Sequence, residues 1–96
     1  MERNVDYIVS RCGLENQLEQ AIEEASEFIL AAQKFKRNRK SGEISKSTET
    51  RMNLIEETAD LIVMMEQMRI YLGRSAVDKQ IEYKIERQID RIKNKR

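Results

Sequence analysis

The chain contains no proline, and its three glycines stand at positions 13, 42 and 73. Those two residue types are the ones that most readily interrupt a helix. Between the glycines, apolar residues recur at three- and four-residue spacing, and no stretch alternates in the manner of a strand. The pattern predicts a short helix over about 2–11, long helices over about 14–36 and 48–72, and a last helix over about 76–94. The stretch "NRKSGEISKS", residues 38–47, reads as the loop that reverses the chain. Gly13 and Gly73 are expected to end helices, and Ser75 with Asp78 resembles a capping box.

The expected inward stripes follow from that spacing. They are Val5, Ile8 and Val9 in the first helix, and Leu14, Leu18, Ala21, Ile22, Ala25, Ile29 and Ala32 in the second. The third carries Leu54, Leu61, Met65, Met68 and Leu72, and the fourth Val77, Ile81, Ile85, Ile89 and Ile92. With 96 residues there is room for one domain, 1–96, near the lower limit for a self-sufficient core. The expected architecture is therefore an all-α antiparallel bundle of about four helices, completed by homo-oligomerisation.

Residue usage excludes several classes. A single Cys12 permits no internal disulfide, and the absence of histidine removes the usual zinc ligand sets. No apolar run exceeds five residues, and "MERNVDY" lacks the apolar core of a signal peptide, so a cytoplasmic protein with no membrane partner is expected. Net charge is +1, but "KFKRNRK" (34–40) holds five basic residues and no acid. From Lys79 onward there are seven basic residues and three acids, which leaves an acidic body.

That body contains an anomaly. "IEEASEF" (22–28) and "IEETADL" (55–61) share one pattern: Ile-Glu-Glu, two small residues, an acid, then a large apolar residue. With Leu54 at zero, the third helix's stripe lies within about 40°, Glu57 falls about 60° to one side and Asp60 about 120°. Glu57 is therefore inside the apolar arc, and Asp60 borders it. On the second helix Glu24 shares its side with Phe28, Ala31 and Phe35, with Glu27 at the edge. Glu23 and Glu56 point outward. Among the seventeen acids, only Glu24–Glu27 and Glu57–Asp60 are spaced three apart. Charge-rich helices produce such pairs by accident, and solvated acids are the plain explanation for one pair. Two pairs, set mid-helix at comparable distances from the turn, are expected to face each other.

Four converging carboxylates repel, and burying one unpaired costs several kcal/mol, or shifts its pKa until it is neutral. No basic side chain shares these sectors within the helices, so bound cations are the better remedy. Hard oxygen ligands suit Mg²⁺, with Mn²⁺ as an alternative.

"QLEQAIEEASEF" followed by "NLIEETADLIVMM" resembles the all-α MazG-like nucleoside triphosphate pyrophosphohydrolases, over about 14–72. Their mark is Glu-x-x-Glu, a gap, then Glu-x-x-Asp on facing helices. The resemblance implies a helical bundle completed as a homodimer or homotetramer. It implies Mg²⁺-dependent cleavage of a nucleoside triphosphate to monophosphate and pyrophosphate. It carries Glu24, Glu27, Glu57 and Asp60 over as catalytic metal ligands, and matches Gln17 to a glutamine common at that place.

Basic side chains would steady the phosphate tail and the leaving pyrophosphate. Lys34, Lys36, Arg37, Lys84 and Arg87 are the candidates, although a solvated surface charge is the plainer reading of each. Gln17 is a candidate for a base edge, and Tyr7, Tyr71, Phe28 and Phe35 for base stacking, against ordinary exposure or core packing. Two non-catalytic readings compete. The basic zones, above all "RIKNKR", suggest a nucleic-acid-binding module, although the acidic body argues against that partner. The 77–92 stripe suggests an oligomerisation module, although it is short for a coiled coil.

Overall fold

The structure, a computed structural model, describes residues 4–95. The ends of the predicted first helix and of "RIKNKR" lie outside these residues. Four helices follow in order: α1 (Val5–Arg11), α2 (Leu14–Ser41), α3 (Ile44–Leu72) and α4 (Arg74–Lys93). The described residues contain no strand. The all-α expectation holds, and the chain-reversing unit is a long antiparallel hairpin of α2 and α3.

The predicted loop over 38–47 is almost entirely helical. α2 runs on to Ser41 and α3 begins at Ile44, so the turn is Gly42 and Glu43 alone. The physical reason is propensity. Lys and Arg are good helix formers, and Arg39 and Lys40 in the last turn of α2 complement the helix dipole. Only Gly42 stops the helix, in the left-handed region at φ 77°, which glycine adopts without strain.

The predicted capping box at Ser75 does not form. α4 starts at Arg74, with Gly73 before it and no side-chain cap. Asp78 is taken instead by Arg69 of α3, whose Nε and Nη2 donate to the two carboxylate oxygens at 2.7 and 2.8 Å. This forked pair forms the joint between α3 and α4, beside an apolar cleft lined by Met65, Met68, Leu72, Val77 and Ile81. Close to the same junction, the Tyr71 hydroxyl donates to the Cys12 carbonyl and Arg74 donates to Asp6, tying α1 down.

The core is small. Val5, Ala21, Ala31, Met64 and Met68 are the buried apolar residues, with Gln67 beside them. Of the α2 stripe predicted to face inward, Ala21 is buried and Ala25 and Ala32 are half-buried, but Leu14, Leu18, Ile22 and Ile29 are exposed. The side of α2 that meets α3 is instead the one carrying Gln17, Ala21, Glu24, Phe28, Ala31 and Phe35. Met65 and Leu72 of α3, and Ile81, Ile85, Ile89 and Ile92 of α4, are likewise exposed. Ordering a residue costs about 1 kcal/mol or more in backbone entropy, while a buried methionine returns only about 2 kcal/mol. Two methionines and three smaller residues are fully buried, with Phe28, Phe35, Leu54, Leu61 and Ile70 half-buried around them. The protomer's radius of gyration, 16.7 Å, exceeds the roughly 13 Å of a compact chain of this length.

Two expectations follow. Gly42→Ala should cost about 1 kcal/mol of stability in urea unfolding, through backbone strain alone, since a Cβ there meets nothing within 4 Å. Arg69's hydrogen bonds hold the Asp78 carboxyl below its usual value. The stability from that pair is present above the ordinary carboxylate pKa and is lost as pH falls through the lower folded value. Asp78→Asn should remove that acid-side loss and speed amide exchange in α4 at neutral pH, leaving α2 and α3 protected.

Candidate metal centre

A two-residue turn leaves no slack in register, so residues equally far from Gly42 meet across the hairpin. Gln17 and Gln67 each stand 25 residues from it, and the Gln17 Nε2 donates to the Gln67 Oε1 at 2.7 Å. Glu24 and Asp60 each stand 18 residues away, and Glu27 and Glu57 each 15. The two acidic half-motifs are therefore brought opposite one another by the geometry of the turn.

Glu24, Glu57 and Asp60 each place a carboxylate oxygen within 4.8 Å of the others. Glu24 and Glu57 are half-buried and Asp60 is exposed. Glu27 is exposed and lies outside this trio, yet its charge acts on Glu57. Burial pushes the Glu57 carboxyl above its usual value, and Glu27, Asp60, Glu24 and Glu56 each push it further the same way. The ion pairs of the described residues lie elsewhere: Lys46 with Glu43, Arg69 with Glu66 and Asp78, and Arg74 with Asp6. One neutral contact softens the cluster, from Gln20 Nε2 to Glu24 Oε1 at 3.1 Å.

This donor set fits a hard divalent cation. All donors are carboxylate oxygens, and their mutual repulsion is relieved by positive charge. Octahedral Mg²⁺ holds its ligand oxygens about 3–4 Å apart, close to the 4.8 Å within which the three carboxylates lie.

The other candidates are placed differently. Gln17 is committed to Gln67, which is 2 % exposed and also donates to the Met64 sulfur at 3.5 Å. Lys34, Lys36 and Arg37 are exposed on the C-terminal half of α2, about 15–20 Å along the helix from Glu24 at 1.5 Å per residue. Lys84 and Arg87 are exposed on α4, with the Arg87 guanidinium 5.7 Å from the Tyr83 ring. Tyr71 is engaged with Cys12, and Phe28 and Phe35 are half-buried on the face of α2 toward α3. Sequence reasoning missed Gln67. The signal that finds it is its symmetry with Gln17 about Gly42, which becomes usable only once the turn is known to be two residues long.

A scan against protein-family models and searches of curated proteins and solved structures find no match to this chain. No helix of the described residues is long and apolar enough to cross a membrane. Fold and site together define an all-α hairpin protein with a candidate divalent-cation centre at mid-height.

The raised Glu57 value has a definite sign. A carboxyl that titrates higher in the folded state binds more protons there, so stability falls as pH rises through the window above the ordinary carboxylate pKa. Glu57→Gln should therefore raise the melting temperature of the metal-free protein at neutral pH. Mg²⁺ should raise that of the parent chain more than that of the variant, as scanning calorimetry with and without chelator will show.

Proposed function

We propose that this protein is a Mg²⁺-dependent nucleoside triphosphate pyrophosphohydrolase, releasing a nucleoside monophosphate and pyrophosphate. The observation that carries this reading is the convergence of Glu24, Glu57 and Asp60 across the hairpin, with no basic side chain among the charges that shift Glu57. Glu27 stands one turn from Glu24, within reach of the same ion after a rotamer change. Mn²⁺ suits the same oxygens.

When bound there, the cation supplies Lewis-acid neutralisation of phosphate oxygens and lowers the pKa of a coordinated water. The chain's own residues do the rest. Glu24, Glu57 and Asp60 hold the ion, Glu27 adds negative charge beside it, and one of the four carboxylates takes the proton from the attacking water. Lys34, Lys36, Arg37, Lys84 and Arg87 are the cations available to the phosphate tail and the leaving pyrophosphate. Lys34, Lys36 and Arg37 lie about 15–20 Å along α2 from Glu24, so this reading calls on a homodimer or homotetramer to bring cations to the phosphate tail. Gln17 contributes by holding α2 to α3 through Gln67, which keeps the half-motifs in register. A cytoplasmic setting, where Cys12 stays a free thiol, accords with this chemistry.

The non-catalytic alternative, a helical nucleic-acid-binding or oligomerisation module, draws on the exposed basic halves of α2 and α4. It differs in needing no cation.

Purified protein with Mg²⁺ and a panel of nucleotides should release pyrophosphate and the monophosphate, identified by chromatography. Glu57→Gln should lower that rate by about a hundredfold or more, the loss of several kcal/mol of charge stabilisation, with its helical circular dichroism intact. Full activity in this variant would remove the metal assignment. Salt-dependent binding of RNA or DNA, without pyrophosphate release from any nucleotide, would favour the non-catalytic module.

A further inference from the structure

The 28 residues of α2 divide at their midpoint by charge. Residues 14–27 hold five acids and no base, and residues 28–41 hold five bases and no acid. A helix dipole favours that polarity, but only within the first and last turns. Those turns account for Glu15, Arg39 and Lys40, and leave the other seven charges unexplained. Along the same helix runs the stripe of Leu14, Leu18, Ile22 and Ile29, which are 37, 42, 66 and 55 % exposed. That stripe lies about 100° around the helix from the side that meets α3.

We infer that α2 is the docking surface for a second copy of this chain, paired antiparallel to the partner's α2 about a two-fold axis at Glu27. A parallel pairing sets five acids against five acids. Pairing with the partner's α3 in the antiparallel sense sets the acidic half of α2 against the half of α3 bearing Asp60 and Glu66, where Arg69, already held by Asp78, is the one base. Of these three pairings, the antiparallel α2 pair sets each charged half against its opposite.

The side chains agree with that axis. Position 27 as centre brings Ile22 over the partner's Ala32 and Ala25 over the partner's Ile29, large against small in the way that helices interdigitate. It brings Leu18 beneath the partner's Lys36 and Leu14 beneath the partner's Lys40. The aliphatic stems of those lysines cover the leucines while their ammonium groups reach Glu19 and Glu15. Glu24 turns toward α3, so the pairing leaves the acid cluster open. The inference stands apart from the proposed reaction and is tested without it.

The test is charge exchange on the full chain, read by sedimentation equilibrium over a range of concentrations and salt. Glu15, Glu19, Lys36 and Lys40 are all exposed, so reversal spares the core. The parent chain should self-associate more weakly as salt rises. E15K/E19K and K36E/K40E should each weaken self-association by roughly tenfold or more, since four symmetry-related pairs become repulsive. An equimolar mixture of the two variants should form the heterodimer at least as tightly as the parent chain pairs with itself, and the chain carrying all four substitutions should self-associate again. Circular dichroism follows folding, and recovery on mixing supports the pairing even where a variant alone is poorly folded. A parent chain that stays monomeric overturns the inference. So do reversed variants that associate like the parent, as they would if the exposed α4 stripe were the interface, and a mixture that fails to recover.

Discussion

The two-residue turn at Gly42 and Glu43 is the constraint on which the rest of the structure depends. A glycine in the left-handed region ends α2 abruptly, and α3 begins two residues later with no slack to slide. Every cross-hairpin contact then follows from equal counting outward from Gly42. The buried Gln67 finds Gln17, and the acidic half-motifs find each other. A longer loop would allow several registers. In most of them the acids would spread along the hairpin, and the amide of Gln67 would be buried without its oxygen satisfied, which is costly.

Against that ordered register stands an electrostatic conflict. Apolar packing and the turn hold Glu24, Glu57 and Asp60 together although nothing in their own charges favours it. Glu57 registers the conflict directly, pushed up by burial and by four neighbouring carboxylates. Local rules broken in this way tend to mark functional places, because stability elsewhere must offset them. Here the offset comes from the α2·α3 contact, and a divalent cation is the ligand whose charge would resolve the conflict.

The second conflict is one of surface. A chain with five buried apolar residues and a row of bare isoleucines on two helices has its apolar residues in the right number but its faces only half used. α2 shows this best. One side meets α3 through alanines, phenylalanines and Glu24, and another side, about 100° away, leaves Ile22 and Ile29 more than half exposed and Leu14 and Leu18 partly so. Its division into acidic and basic halves gives that second side a direction, which apolar surface alone does not have.

Periodicity and the absence of proline were enough to read helices, their number, and the reversal of the long pair. The spacing of Glu24 with Glu27 and of Glu57 with Asp60 was enough to pick out the acids, because three residues is nearly one helical turn. The extent of the turn was not legible, since Lys, Arg, Asn and Ser serve a loop or a helix equally well and tertiary context chooses. The side of α2 that meets α3 was legible only in part: the acid spacing picked out Glu24 with Phe28, Ala31 and Phe35, but the leucine stripe outweighs that mixed face in a hydropathy count. The sequence by itself determined that acids would sit on helices at a spacing that can share a cation. Only the tertiary structure decided that three of them meet while Glu27 stays outside, because convergence depends on register and rotation across the hairpin, and neither is a property of one helix alone.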